Sequence, residues 1–330
     1  MLQNKGKLLM EKIEHLDWKI RYIGGYINAH SHLDRAYTDH EFTAKEKTCF
    51  LEEKWKLVDR IKKLSSYSDY KKRISHAIDM QQKYGVSAIC TFVDLDVIVS
   101  YKAIIAAREL RDERKDIKLV IANQTLKGVL DPQNANIIRN NAEFLDIIGS
   151  LPSADKGREE EHLDFVMGLA KRHNKLVHCH VDQLNCPSEK QTEMLARKTI
   201  QHGMEGKVTA IHSLSLACHQ KSYREEVYKI CKDANLMFVS CPSAWIDHQR
   251  KEELLPWHNA LTPVDELLNH GLTVAVGTDN IEDVYKPYCN GDPLFELRIL
   301  LEAFKIYDDD TLISLAVHNG KKALGLVCKN

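Results

Sequence analysis

Eight times along this chain a short, almost uninterrupted apolar run gives way to a longer stretch with helical spacing. No other feature constrains the fold as tightly. The runs are Tyr26–His32, Ser87–Val93, Lys118–Asn123, Leu145–Leu151, Lys175–Val181, Lys207–His212, Leu236–Cys241 and Leu272–Gly277. Each has strand length without polar alternation, as expected of strands covered on both faces. Helical patterns fill the intervals at Lys45–Leu64, Asp69–Tyr84, Tyr101–Glu113, Asn134–Glu143, Glu159–Asn174, Ser188–His202, Ser222–Asp233 and Pro263–His270. Such alternation predicts βαβ units and a parallel sheet. Eight units suit a (β/α)8 TIM barrel better than an open doubly wound sheet. The chain has neither a G-x-G-x-x-G after its first run nor a G-x-x-x-x-G-K-[ST] anywhere, which argues against dinucleotide and P-loop folds.

Punctuation supports these boundaries. Ser188 with Gln191 three residues on predicts a capping box. His202-Gly203 and His270-Gly271 predict helix ends with glycine in the left-handed region. No Pro/Gly/Ser-rich linker interrupts the pattern, so one domain is expected over residues 1–330, with the barrel proper at about 24–325. The long stretch after the first run carries two helical patterns and is expected to form a lid.

Charge excludes several partners. Lys+Arg number 46 against 47 Asp+Glu, a net charge of -1, which is a poor basis for binding a phosphate backbone. No apolar run approaches the ~20 residues that cross a bilayer. The charged first residues lack a signal-peptide core. The nine cysteines are scattered singly and read as reduced thiols, so a cytoplasmic protein with no nucleic-acid or membrane partner is expected. The unusual count is 16 histidines, which makes their placement informative.

Several fall at the C-terminal ends of the strand-like runs, where a barrel places its active site. His30 and His32 end the first run and, two apart on a strand, point to one side. His178 and His180 repeat that spacing in the fifth, His212 ends the sixth, and Asp279 follows the eighth. Imidazoles with a carboxylate are the donor set of a catalytic Zn²⁺ or Fe²⁺. Such an ion lowers the pKa of bound water to about 7. Taken singly, each residue has a plainer reading. An H-x-H is weak alone, and an Asp after a strand is usually a cap. His178, deeper in its run, reads as a hydrogen-bonded core imidazole. His15, His76, His162, His173, His219, His248 and His318 read as surface residues. Cys179, Cys218 and Cys241 read as buried small apolar residues. The conjunction at four strand ends carries the weight.

These residues resemble the amidohydrolase superfamily, and within it the cytosine deaminase-like branch, over about Gly24 to Gly325. Ala29-His30-Ser31-His32-Leu33-Asp34 is similar to the branch's first-strand H-x-H-x-D. Thr91-Phe92-Val93-Asp94 resembles its second-strand segment, which places Asp94 among the expected substrate-binding residues. Asn123-Gln124 is similar to the site of a pocket glutamine. His180-Val181-Asp182-Gln183 matches H-x-D-E except at its last residue, and His212 follows 32 residues after His180, as in the branch. Gly277-Thr278-Asp279-Asn280 resembles G-x-D-D.

The resemblance implies one divalent ion, Zn²⁺ or Fe²⁺, held by His30, His32, His180 and Asp279. The spacing to His212 is the reason for choosing His180 over His178. It also implies that His212 hydrogen-bonds the attacking oxygen and that Asp279 takes the water proton. Gln124, Asn280 and Tyr285 would contact a small nitrogen heterocycle or cyclic amide. Barrels of this family commonly assemble, so a homo-oligomer is compatible with it. Two departures matter. Gln183 stands where the branch has a proton-donating Glu, and a primary amide cannot shuttle a proton. Asn280 replaces a carboxylate. The small β-sandwich of many relatives is expected to be absent or vestigial. Three readings follow: a hydrolase of a non-peptide C–N bond in a cyclic amide or heterocycle, a deaminase with its acid relocated to Asp182, or a catalytically degenerate binding protein.

Overall fold

The computed structural model describes residues 2–246 and 260–327. Eight parallel strands lie in sequence order in one sheet: β1 Tyr26–Ser31, β2 Val86–Asp94, β3 Lys118–Gln124, β4 Ile147–Ser150, β5 Leu176–Val181, β6 Val208–His212, β7 Met237–Ser240 and β8 Thr273–Val276. The sheet curls into a nearly closed (β/α)8 barrel. Its seam is bridged where His32 N donates to Asp279 O at 3.2 Å and Asp279 N donates to His30 O at 2.9 Å. Among the described residues no strand lies outside this sheet. The strands are buried except at or beside their first residues, which explains their unbroken apolar character.

The helices are α1 Leu2–Tyr22, α2 Ala44–Lys47, α3 Leu51–Leu64, α4 Tyr67–Lys83, α5 Lys102–Glu113, α6 Pro132–Asn141, α7 Glu159–His173, α8 Gln191–Gln201, α9 Lys221–Asp233, α10 Val264–Asn269, α11 Pro293–Phe304, α12 Asp309–Ile313 and α13 Asn319–Ala323. The expected helix Lys45–Leu64 is two helices. It breaks where the backbone N–H of Phe50 bonds the Glu53 side chain and starts α3 afresh. Gly203 and Gly271 do adopt left-handed φ at +59° and +70°. The capping box at Ser188 does not form. Asp182, ending β5, accepts from Gln191 N at 2.7 Å and Thr192 N at 3.0 Å instead, and a buried carboxylate outcompetes a hydroxyl for the start of α8. His248 lies outside the described residues.

Two glycines let backbones meet at the barrel core. A Cβ on Gly149 would stand 1.8 Å from Asn123 O. In its place Asn123 brackets Gly149 with two hydrogen bonds that tie β3 to the short β4. A Cβ on Gly277 would stand 2.8 Å from His30 Cβ.

The stretch between β1 and β2 supplies a cover. Leu51, Val58 and Ile61 of α3 pack with Phe42, Leu126, Leu151, Val284 and Tyr285 into a second apolar cluster above the barrel. Each such side chain contributes about 1.5–3 kcal/mol on burial. Lys62, buried at the end of α3, pairs with Asp96 and lies 3.6 Å from Asp94, both at the end of β2.

Candidate active site

Four imidazoles and one carboxylate converge at the C-terminal mouth of the barrel. His30, His32 and His180 bring ligand atoms within 4.8 Å of one another, and so do His30, His212 and Asp279. Asp279 Oδ1 is 3.2 Å from Nε2 of both His30 and His32. Beneath them Phe92 of β2 meets the His30 and His180 rings at centroid distances of 4.7 and 4.9 Å, sealing the floor. Asp182, His212 and Asp279 all have positive φ, so the chain turns sharply at each of these strand ends. Such backbone costs roughly 1–3 kcal/mol per residue and recurs at functional sites.

Electrostatics prepare the cluster for a cation. Burial lowers His30 to about 4, and His180 and His212 to about 3, so all are neutral with free lone pairs near neutral pH. Burial alone would raise Asp279, but Lys286, with Nζ 2.5 Å from Oδ2, and the histidines hold it well below the usual carboxylate range. His180 Nδ1 faces Ser150 O at 3.3 Å, which assigns the proton to Nδ1 and leaves Nε2 as the lone-pair nitrogen. Nitrogens of His30, His32, His180 and His212 are buried without hydrogen-bond partners. Unmet buried imidazoles of this kind fit a divalent ion.

A cavity opens onto the cluster. Its walls include Gln124, Gln183, Asn280 and Tyr285, together with Arg35, Leu126, Leu151, and Leu51 and Trp55 from α3. The cover expected between β1 and β2 therefore reaches the pocket. Two of the expected proton-transfer and substrate-binding residues do not. Asp182 caps α8 and turns away from the cavity. Asp94 is buried behind Arg35, 3.6 Å from its guanidinium, and next to Lys62.

His178 is the core imidazole expected, with Nε2 3.0 Å from Ala323 O. His162 is not a surface residue. It is buried against Ser150, Leu151 and Asp155, because its helix face packs on β4. Among the proposed small buried thiols, Cys179 and Cys241 are buried and Cys218 is half-buried. Sequence reasoning passed over Arg35 and Lys286. Each directly follows a residue that was singled out, Asp34 or Tyr285, and that adjacency was the available signal.

Residues 43–316 match the model of the amidohydrolase family. The chain belongs to the amidohydrolase family. Amidohydrolases of this kind are metal-dependent enzymes acting on C–N bonds other than peptide bonds. A protein of Haemophilus influenzae is 47% identical over 250 residues, covering 74% of this chain and 91% of that protein. The N-isopropylammelide isopropyl amidohydrolase of a Pseudomonas species is 26% identical over 278 residues, covering 81% of this amidohydrolase and 65% of the other. The crystal structure of Klebsiella pneumoniae 5-methylcytosine deaminase with 5-fluorocytosine superposes with a TM-score of 0.84 at 26% identity, covering 92% of this chain and 75% of that one. Among the described residues no helix is long and apolar enough to cross a membrane.

Proposed function

We propose that this amidohydrolase cleaves a C–N bond of a small, single-ring nitrogen heterocycle that carries an oxo group, using one Zn²⁺ or Fe²⁺ at His30, His32, His180 and Asp279. When bound, the ion would supply activated water at neutral pH. The observation that carries the reading is Gln183 in the pocket wall, with Asp279 the only carboxylate among the lining residues described. A ring nitrogen without a proton needs an acid as the carbon beside it is attacked. An oxo-bearing ring in its lactam form already carries that proton. The primary amides of Gln124 and Gln183 each offer a donor and an acceptor, which complement the C=O and N–H of a lactam edge.

In this reading ionised Asp279 accepts the proton of the attacking water and delivers it to the leaving nitrogen. His212, whose ligand atoms approach those of His30 and Asp279, hydrogen-bonds the attacking oxygen. Arg35 and Tyr285 hold the ring, with the guanidinium 5.1 Å from the Tyr285 centroid. The similarity to an N-isopropylammelide amidohydrolase supports an oxo-substituted ring. The similarity to 5-methylcytosine deaminase favours a second reading, release of ammonia from an amino-pyrimidine.

The test begins with elemental analysis of wild type and His180→Ala. About one equivalent of metal in wild type, lost in the variant, is expected. Metal-loaded protein then meets a panel of single-ring oxo- and amino-heterocycles, scored for amine release and ring opening. Turnover of amino-pyrimidines alone would replace the first reading by the second. No metal uptake by wild type would remove both.

A further inference from the structure

His162 of α7 lies outside the cavity and takes no part in the chemistry above, yet every polar atom of its ring is engaged inside the fold. Nε2 accepts from Leu151 N at 3.2 Å and lies 3.0 Å from Ser150 Oγ. Nδ1 is 2.6 Å from Asp155 Oδ2. A backbone N–H can only donate, so Nε2 is the lone-pair nitrogen and Nδ1–H donates to Asp155. Ser150, His162 and Asp155 thus have the spacing of a nucleophilic relay. Ser150 is not a nucleophile. It is buried and its Oγ also meets Cys179 Sγ at 3.3 Å, away from the residues that line the cavity.

The consequence runs through the backbone. The Ser150 carbonyl is the partner of His180 Nδ1, and Leu151 is a wall of the cavity. Asp155 secures the other end. Its Oδ2 also accepts from Val129 N at 2.7 Å, and its carboxylate fills the space beside Gly128, where a Cβ would stand 2.3 Å away. The pair therefore joins the turn after β3, which carries the wall residue Leu126, to the end of β4.

We propose that His162, held by Asp155, is a positioning residue for the metal centre. It fixes the end of β4 so that the Ser150 carbonyl presents His180 with Nε2 toward His30 and His32. This rests on the reading that the cluster holds a divalent ion.

The test compares wild type, His162→Phe, His162→Gln and Asp155→Asn for Co²⁺ affinity by chelator competition and for the visible absorption of bound Co²⁺. Outer partners of metal ligands are typically worth 10–100-fold in metal affinity. We expect His162→Phe to bind Co²⁺ about tenfold more weakly, with a changed spectrum. His162→Gln places an acceptor near the former Nε2 and should recover most of both. Should His162→Phe not fold, Asp155→Asn decides the matter, since Asp155 is partly exposed and its loss should be tolerated. Affinity within twofold of wild type and an unchanged spectrum, in His162→Phe or then in Asp155→Asn, overturns the inference alone. Failure of wild type itself to bind Co²⁺ overturns the metal reading and this inference with it.

Discussion

In the function proposed above, position 183 decides which rings the pocket can process. Its amide can pair with a lactam edge but cannot lend a proton, and Asp182 beside it is committed to capping α8. Gln183→Glu should therefore raise ammonia release from amino-pyrimidines by about 10²-fold or more, within the range for a positioned acid. Turnover of oxo rings should fall in the same variant. Steady-state assays on one ring of each kind check this, and equal effects on both would count against the role given to residue 183. How well individual residues could be read from the sequence followed their chemistry. The convergence of the strand-end histidines was legible because residues two apart on a strand point to the same side. His162 was not, because a histidine among helix-forming polar residues looks the same in sequence whether its face meets water or β4. Asp182 and Asp94 misled for a related reason. A carboxylate beside a motif shows its proximity to the site but not its hydrogen-bond partners.

At the scale of elements, the strands were legible almost to the residue, because burial on both faces leaves no alternative to a continuous apolar run. The break before α3 was not, since nothing in the periodicity of Lys45–Leu64 marks a change of helix axis. Helix α3 is held down by Lys62, whose ammonium is buried against Asp96 and Asp94. Lys62→Met would leave Asp96 without its cation, and breaking a buried pair from one side costs about 3–5 kcal/mol. Faster amide exchange across Leu51–Leu64, with the strands still protected, is the expected result. The turn between β5 and α8 carries a different switch. Burial, then the neighbouring Asp182, raise the Glu189 carboxyl from 4.5 to about 8 while Leu184 N and Ser215 Oγ donate to it. A folded-state pKa above the unfolded one stabilises fully below pH 4.5 and loses that contribution as pH rises toward 8. Glu189→Gln removes this slope. Its melting midpoint relative to wild type should climb by several °C from about pH 5 to pH 8 in calorimetry. A constant offset across that range would show that Glu189 does not titrate there.

Over the whole molecule, the fold gathers imidazole nitrogens without hydrogen-bond partners at the barrel mouth, a cost in stability. An ion that binds only the folded chain should offset that cost. At a free concentration of 100 times its dissociation constant it adds about 2.7 kcal/mol. Thermal melts with added Zn²⁺ should shift upward and return on chelation, whereas His180→Ala should show no shift. The barrel as a whole was legible in the eightfold alternation, and its cover in the long stretch after the first run, but the stitching of its seam was not. The seam depends on contacts between segments far apart in the chain.

That seam has a consequence for how the protein is made. In the proposed metal site His30 sits on the first strand, His32 just after it and Asp279 just beyond the last, so the two ends of the donor set leave the ribosome about 250 residues apart. At a synthesis rate of roughly 5–20 residues per second, tens of seconds separate them. Throughout that interval the nascent chain exposes paired imidazoles with no carboxylate to complete them. The proposed set of His30, His32, His180 and Asp279 is available only once the final strand has closed against the first, so capture of an ion there would report that the barrel has been finished.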